Sequence, residues 1–215
     1  MRRKYDILWK GILEEVFDDM LRFIFPEIDK ELDMQRGFEF LDKELSEMYP
    51  EPEKVSHTRV VDKLAKVYTW EGEERWMLIH IEVQGKNEPT FPNRMFQYYY
   101  RTLDRCKRPV TAIAIFTGRD GKKIPDRFEH HCLGTHLVYQ FNTMWIMDYP
   151  DEILAASDNP FAIAVMVAKM AILKGKNEEL DNELLKQKLL VARLLYKKKI
   201  FSKAKIEAIL TFLHN

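Results

Sequence analysis

The chain is poor in the features that mark secreted and membrane proteins. Its 215 residues include only two cysteines, Cys106 and Cys132, which make no disulfide framework and fit a reducing compartment. No stretch approaches the ~20 consecutive apolar residues that a membrane helix needs. Residues 1–6 are largely charged and lead into an amphipathic segment, which is not the pattern of a signal peptide. These absences predict a soluble, cytoplasmic protein with no membrane partner.

Neither sign of charge predominates. Lys and Arg together number 34, as do Asp and Glu, so the formal net charge is zero. A global balance of this kind neither favours nor excludes nucleic acid as a partner, and a basic face would have to be local. Repeats and low-complexity segments are lacking. The chain is 46% hydrophobic, with 13 Phe, 9 Tyr and 4 Trp, which is enough for the core of one domain with at most a modest appendage.

The most informative segment is residues 60–84. Two arms rich in Val, Ile, Tyr and Trp flank a polar break at Gly72, which predicts a β-hairpin. Its second arm is nearly continuous apolar sequence over residues 78–81, typical of a strand buried on both faces of a sheet. That arm then ends in Glu82-Val83-Gln84, although burying charge is costly unless the charge is paired or bound to a metal.

Folding at the turn brings Asp62 level with residues 82–84, and the two-residue spacing puts Glu82 and Gln84 on one face. Two neighbouring carboxylates repel each other, and a divalent cation removes that repulsion. Magnesium prefers such hard oxygen ligands. The segment is therefore the chain's best candidate for chemistry.

Helical spacing of apolar residues predicts a first helix over residues 6–25 and a second over residues 93–105. In the first, Asp6 and Lys10 share a face, which by default is a surface ion pair. The second carries a stripe of side chains suited to contact a phosphate backbone: Arg94, Tyr98, Arg101 and Arg105. Its apolar side, which can face the core, consists of Phe96, Tyr99, Tyr100 and Leu103. A solvated face whose arginines pair with local acids explains the stripe equally well.

The remaining pattern predicts an edge strand over residues 38–45, a central strand over 109–117 and one strand or a broken pair over 137–147. Metal-ligand residue types cluster at His130, His131, Cys132 and His136, but their spacing matches no zinc pattern and indicates a loop with incidental histidines. From residue 151 onward the chain reads as helical. The element order predicts an α/β protein whose mixed sheet is flanked by helices, with a parallel crossover through the second helix.

This order, with Asp62 opening the second strand and Glu82-x-Gln84 closing the third, resembles the PD-(D/E)XK nuclease superfamily. It is most similar to the recombination-promoting nuclease and transposase branch, the Rpn and YhgA-like proteins. The resemblance covers about residues 5–175. It is carried by Trp9-Lys10, Phe40-Leu41-Asp42-Lys43-Glu44-Leu45, Val61-Asp62-Lys63-Leu64, Leu78-Ile79-His80-Ile81-Glu82-Val83-Gln84, Arg94-Met95-Phe96-Gln97-Tyr98 and Asn159-Pro160-Phe161-Ala162.

The resemblance implies a restriction-endonuclease-like core over residues 1–158, with C-terminal helices over 159–215 packed on it. It also implies cleavage of DNA that depends on magnesium, for which manganese can substitute. Asp62 and Glu82 would hold the metal with the backbone carbonyl of Val83, and Asp6, Lys10 and Glu44 are accessory positions. Members of the family usually continue beyond a helix such as residues 206–213, whereas this sequence stops at Asn215, as a short member, a remnant of a mobile element or a truncated chain would.

Two positions depart from the superfamily pattern. Val61 stands where the motif has Pro, a common loss, and Gln84 stands where much of the superfamily has Lys. A lysine stabilises developing negative charge, whereas a glutamine only orients by hydrogen bonds. Two alternatives to an active endonuclease stay open: a catalytically decayed nucleic-acid-binding relative from a mobile element, and an interaction module in which Asp62 and Glu82 are a buried polar pair. The sequence leaves the oligomeric state open, a dimer included.

Overall fold

A computed structural model of the protein describes residues 2–48, 60–82, 89–118, 125–173, 178–197 and 201–214. The chain divides into two compact units. One comprises Met1–Ile28 and Trp145–Asn215, so it is built from both ends of the chain. The other comprises Asp29–Met144 and contains the sheets.

The sheet unit confirms the predicted α/β class. Its mixed five-stranded sheet has the order β1-β2-β3-β4-β7, and β5 and β6 form a separate two-stranded sheet. Strands β1, β2 and β3 are antiparallel neighbours, and β3 pairs in parallel with β4 through helix α3 (Phe91–Cys106), as the predicted crossover requires. The strands are β1 (Glu39–Phe40), β2 (Val60–Tyr68), β3 (Glu74–Glu82), β4 (Val110–Phe116), β5 (Arg127–Cys132), β6 (Thr135–Gln140) and β7 (Asn142–Trp145).

The hairpin of β2 and β3 forms for the reasons that its sequence suggests. Gly72 occupies the turn with φ of +84°, a backbone conformation that costs a glycine little. The turn closes through Thr69, whose backbone N–H donates to Glu73 O. Because β3 lies between β2 and β4, residues 78–81 are fully buried, which confirms that this arm is a central strand.

The predicted edge strand over residues 38–45 is wrong in its second half. Only Glu39 and Phe40 are in β1, and residues 42–48 form helix α2 (Asp42–Met48). The acidic residues Asp42 and Glu44 lie in the first turn of this helix, where the positive end of the helix dipole stabilises their negative charge. Leu41 and Leu45, four residues apart, are both buried, so helical spacing overrides the weak alternation that precedes it.

The predicted loop around His130 is also wrong, because residues 127–132 form β5 and pair with β6. Tertiary packing explains this strand. The ring of Phe128 on β5 stacks on Phe96 of α3 at 5.1 Å between centroids, and Tyr139 on β6 lies 5.6 Å from the same ring. The apolar side of the hairpin thus rests on α3, while its other positions are largely exposed.

The other unit is helical. Apart from Lys169, its helix α5 (Pro160–Leu173) is apolar on all sides, and residues 161–170 are buried, as such a composition requires. Asn159 caps α5, since its Oδ1 accepts from the Phe161 N–H at 2.8 Å. In this unit α1 packs with the C-terminal helices: the Trp9 and Phe212 rings lie 5.3 Å apart. The α-helices among the described residues are α1 (Arg2–Ile24), α2, α3 (Phe91–Cys106), α4 (Asp151–Ala156), α5 (Pro160–Leu173), α6 (Glu178–Lys197) and α7 (Lys203–His214).

The predicted division at residues 158 and 159 stays a prediction. Among the described residues, no helix combines the length and apolar character needed to cross a membrane.

Candidate active site

The register of the hairpin decides which positions of β2 and β3 share a face. Asp62 is paired with His80, and Val60 is paired with Glu82. Directly opposed residues of an antiparallel pair lie on the same face, as do residues two apart on one strand. Positions 62, 80 and 82 therefore lie on one face, with 62 and 82 as diagonal neighbours. Such diagonal positions are about 7–8 Å apart.

Several predicted site residues fall outside the described part of the chain. Val83 and Gln84 are not described at all, and the side chains of Asp62 and Glu82 are not described either. Their convergence on one site stays a prediction, made sharper by the backbone register. The backbones of Asp6 and Lys10 lie on α1, but their side chains are likewise outside the described part.

The candidate site lies at the carboxyl ends of two parallel strands. Glu82, the last residue of β3, is paired with Phe116, the last residue of β4. Thr117, which follows β4, is 1% exposed. The carboxyl ends of parallel strands are where open α/β sheets bind ligands, because the chain leaves the sheet there and opens a crevice.

His80 is a site residue that the sequence reasoning missed. It lies opposite Asp62 and two residues before Glu82, and it is fully buried. Its ring lies 5.0 Å from the Phe91 ring and 6.0 Å from the Tyr98 ring, centroid to centroid. The same two-residue spacing that puts Glu82 and Gln84 on one face also puts His80 there. The sequence pattern did not single out His80 because it lies within the apolar run of residues 78–81.

Helix α3 covers the face that carries positions 62, 80 and 82. Phe91, Met95 and Thr102 are its buried residues on a helical stripe, and the half-buried Tyr98 continues that stripe toward His80. The Phe91 ring also contacts Phe116, at 5.1 Å. The N-terminus of α3, where backbone N–H groups favour anions, therefore lies near the carboxyl ends of β3 and β4.

The predicted DNA-binding stripe of α3 is divided by this packing. Arg94 is half-buried, with its guanidinium carbon 5.3 Å from the Phe91 ring centroid, and Arg101 is exposed. Tyr98 lies against the sheet face as described above. Arg105 is exposed and lies 3.5 Å from a carboxylate oxygen of Glu47. Tyr100 does not face the core, since it is 56% exposed.

The accessory position Glu44 lies on α2, which packs against β2. The same region holds a buried lysine on the opposite face of the sheet. Lys63, next to Asp62 in sequence, directs its Nζ to Asp42 Oδ2 at 2.6 Å. Because adjacent strand residues point to opposite faces, this amine belongs to the other side of the sheet from position 62.

The donor set suits magnesium chemically. Asp62 and Glu82 carry hard carboxylate oxygens, the ligand type that magnesium prefers, and the backbone register puts the two positions on one face. The histidines of the β5–β6 hairpin offer a different, softer set: the His131 and His136 rings lie 5.8 Å apart. Within the described side chains, which exclude Asp62 and Glu82, no group of three or more His, Cys, Asp and Glu could hold a metal ion.

Comparison with known proteins adds no further assignment. No family model matches the chain, and neither a curated protein nor a solved structure is significantly similar to it.

Proposed function

We propose that this protein is a magnesium-dependent DNA endonuclease of the recombination-promoting type, which hydrolyses phosphodiester bonds. The observation that carries the proposal is the β2–β3 register. It puts positions 62 and 82 on the same face, level with the carboxyl end of β3, whose preceding residues 78–81 are buried. The resemblance to the PD-(D/E)XK superfamily assigns the same two acids to metal binding.

Each residue of the site has a distinct role in this proposal. Asp62 and Glu82 would hold magnesium, together with the backbone carbonyl of Val83. Bound magnesium would lower the pKa of an attacking water and offset the negative charge that develops on the phosphate. Gln84 orients that water by hydrogen bonding. Arg94 and Arg101 contact the phosphate backbone and fix the position of the DNA.

His80 has a positioning role. It occupies the strand position opposite Asp62, and its buried ring packs against Phe91 and Tyr98 of α3, so the ring acts as a spacer between α3 and the acidic face. The basic residues of α3 are thereby held at a set distance from the metal ligands.

One departure favours a second candidate, a nucleic-acid-binding protein that has lost cleavage. Gln84 stands where much of the superfamily has Lys, and an amide cannot supply the positive charge of an ammonium group. Retention of both acids supports the active enzyme over this candidate. A structural module, in which Asp62 and Glu82 form a buried polar pair, needs neither metal nor DNA.

A plasmid-nicking assay with magnesium separates these candidates. The wild type is expected to nick supercoiled DNA, and Asp62→Ala and Glu82→Ala are expected to abolish nicking because each removes a metal ligand. Glu74→Ala is the matched control: Glu74 begins the same strand at its opposite end. Nicking that survives both site substitutions would contradict the assignment of the site.

Metal binding is measured independently of cleavage by calorimetry with magnesium and with manganese. We expect the wild type and Glu74→Ala to bind, and both site variants to lose binding. Metal and DNA binding without nicking would point to the decayed relative, and Gln84→Lys is then expected to restore cleavage. A folded wild type that binds neither metal nor DNA would support the third candidate, the structural module.

A further inference from the structure

Helix α6 carries an apolar stripe on its exposed side. Leu185 is 57% exposed, Leu189 is 50% exposed and Tyr196 is 87% exposed. Together with the exposed Ala192 they recur at intervals of four, three and four residues, which is the spacing of a helix–helix seam. The side of α6 that is buried is a different one, formed by Val191 and Leu195.

The charges of α6 are separated along the helix. Acidic residues occupy only its first third, and basic residues occupy only the remainder, so one helix end is negative and the other positive. The acidic residues are Glu178, Glu179, Asp181 and Glu183, and the basic residues are Lys186, Lys188, Arg193 and Lys197. A helix with this polarity is complementary to a second copy of itself that runs in the opposite direction.

We propose that the exposed stripe of α6 is a homodimer interface in which the α6 helices of two copies pair antiparallel. A two-fold axis near the middle of the helix stacks Leu185 of one copy against Leu189 of the other. It also brings the acidic first turns beside the basic last turns, at positions such as 179 and 193. Parallel pairing would instead set like charges side by side, which destabilises a helix pair.

The size of this interface predicts a reversible dimer. A helix of this length extends about 30 Å, so a single helix pair falls among the smaller specific interfaces. The leucines at its centre are expected to contribute most of the binding free energy, because central, desolvated contacts dominate interfaces. Dimerisation of this kind does not depend on the proposed nuclease activity.

Sedimentation equilibrium of the full chain over a range of concentrations tests the proposal. The wild type is expected to dimerise, and Leu189→Lys to weaken the dimer by at least about 30-fold. Ile153→Lys is the matched control, because Ile153 is 62% exposed on α4, away from the stripe. Thermal unfolding of each variant checks that these exposed substitutions keep the fold. A wild type that stays monomeric, or a dimer unaffected by Leu189→Lys, would overturn the proposal.

A charge exchange tests the orientation. Glu179→Lys alone and Arg193→Glu alone are each expected to weaken the dimer, since each sets like charges against each other in an antiparallel pair. The double variant Glu179→Lys plus Arg193→Glu restores both pairs and is expected to recover wild-type affinity. Failure of the double variant to recover would overturn antiparallel pairing.

Discussion

At the scale of single residues, two ionisable side chains are buried with charged partners in different ways. Lys63 is 3% exposed in its side chain, and its ammonium is held by Asp42 at 2.6 Å and lies 4.8 Å from the Phe40 ring centroid. Asp42 itself is 56% exposed. Removal of Asp42 therefore leaves a buried ammonium group without this carboxylate, whereas removal of Lys63 leaves a carboxylate that is already largely in water.

Asp42→Ala is expected to lower the free energy of unfolding by about 2 kcal/mol, because it removes the carboxylate that holds the buried Lys63 ammonium. This loss of stability is smaller than that expected for a fully buried ion pair, since the Asp42 side chain is 56% exposed. Lys63→Met is expected to cost less than about 1 kcal/mol, because an apolar side chain suits the buried position and Asp42 is hydrated. Urea unfolding of both variants measures the difference, and equal costs would contradict this account.

Asp19 on α1 is the second case. Burial raises the pKa of this carboxyl above its usual value, although the hydrogen bond from Lys205 opposes the rise. Burial lowers the pKa of Lys205, but its hydrogen bonds to Asp19 and Asp18 outweigh that effect and leave this pKa raised. Ionised Asp19 is thus less favourable in the folded chain than in the unfolded one, despite its partner.

This shift gives a pH dependence of known sign. A raised folded pKa means that the contribution of Asp19 to stability is fully present below its unfolded pKa, near 4, and is lost as pH rises through the folded pKa. Asp19→Asn cannot ionise, so the free energy of unfolding of the wild type minus that of the variant should fall as pH rises from about 4. Urea unfolding across this range measures it, and a difference that grows with pH would contradict the assignment.

At the scale of elements, α3 connects the sheet to the proposed DNA surface. Its stripe of Phe91, Met95 and Thr102 is buried, and Arg94 and Arg101 lie one turn before and one turn after the half-buried Tyr98. The buried stripe therefore sets which side of the helix faces the sheet, and with it the side that carries Arg94 and Arg101. Phosphate contacts from a fixed helix would set the register of DNA at the site.

Arg94→Ala plus Arg101→Ala is expected to reduce the slope of log affinity against log salt by ~0.9 for each phosphate group that is no longer neutralised. DNA binding is measured by fluorescence anisotropy over a salt series. Arg75→Ala plus Arg108→Ala is the matched control with the same charge change, because these arginines lie at the amino ends of β3 and β4. An unchanged slope in the α3 variant, or an equal reduction in the control, would contradict the predicted DNA face.

At the scale of the whole molecule, the helical unit is assembled from the two ends of the chain. Trp9 and Phe17 of α1 are buried, and α1 packs against α5 and α7. Lys205 of α7 reaches Asp18 of α1 at 3.1 Å. The first helix therefore depends on segments that are encoded well over a hundred residues later.

A fragment of residues 1–158 is expected not to be soluble and folded, because it exposes the apolar face of α1 that α5 and α7 cover. Expression of this fragment, followed by gel filtration and circular dichroism, measures this outcome. Co-expression with residues 159–215 is the control and is expected to restore a soluble complex. A folded, soluble 1–158 alone would show that the C-terminal helices are dispensable.

The amino-acid sequence by itself determined the class of the protein and its central elements. The β2–β3 hairpin, the buried strand β3, the crossover through α3 and the apolar α5 follow from local periodicity and turn residues. These features are predictable because the hydrophobic pattern and the turn residues of each element lie within a short span of sequence. The candidate acids Asp62 and Glu82 were found in the same way, from charge at the end of an apolar strand.

Other features were decided only by tertiary structure. Residues 127–132 are a strand because Phe128 packs on Phe96 of α3, a contact between segments that are distant in sequence. Residues 42–48 are helical, where alternation alone predicted a strand, and α2 packs against β2 with Leu45 buried. His80 belongs with Asp62 because strand pairing opposes them. Each of these outcomes depends on long-range packing, whose free energy exceeds the small differences in local propensity that a sequence pattern reports.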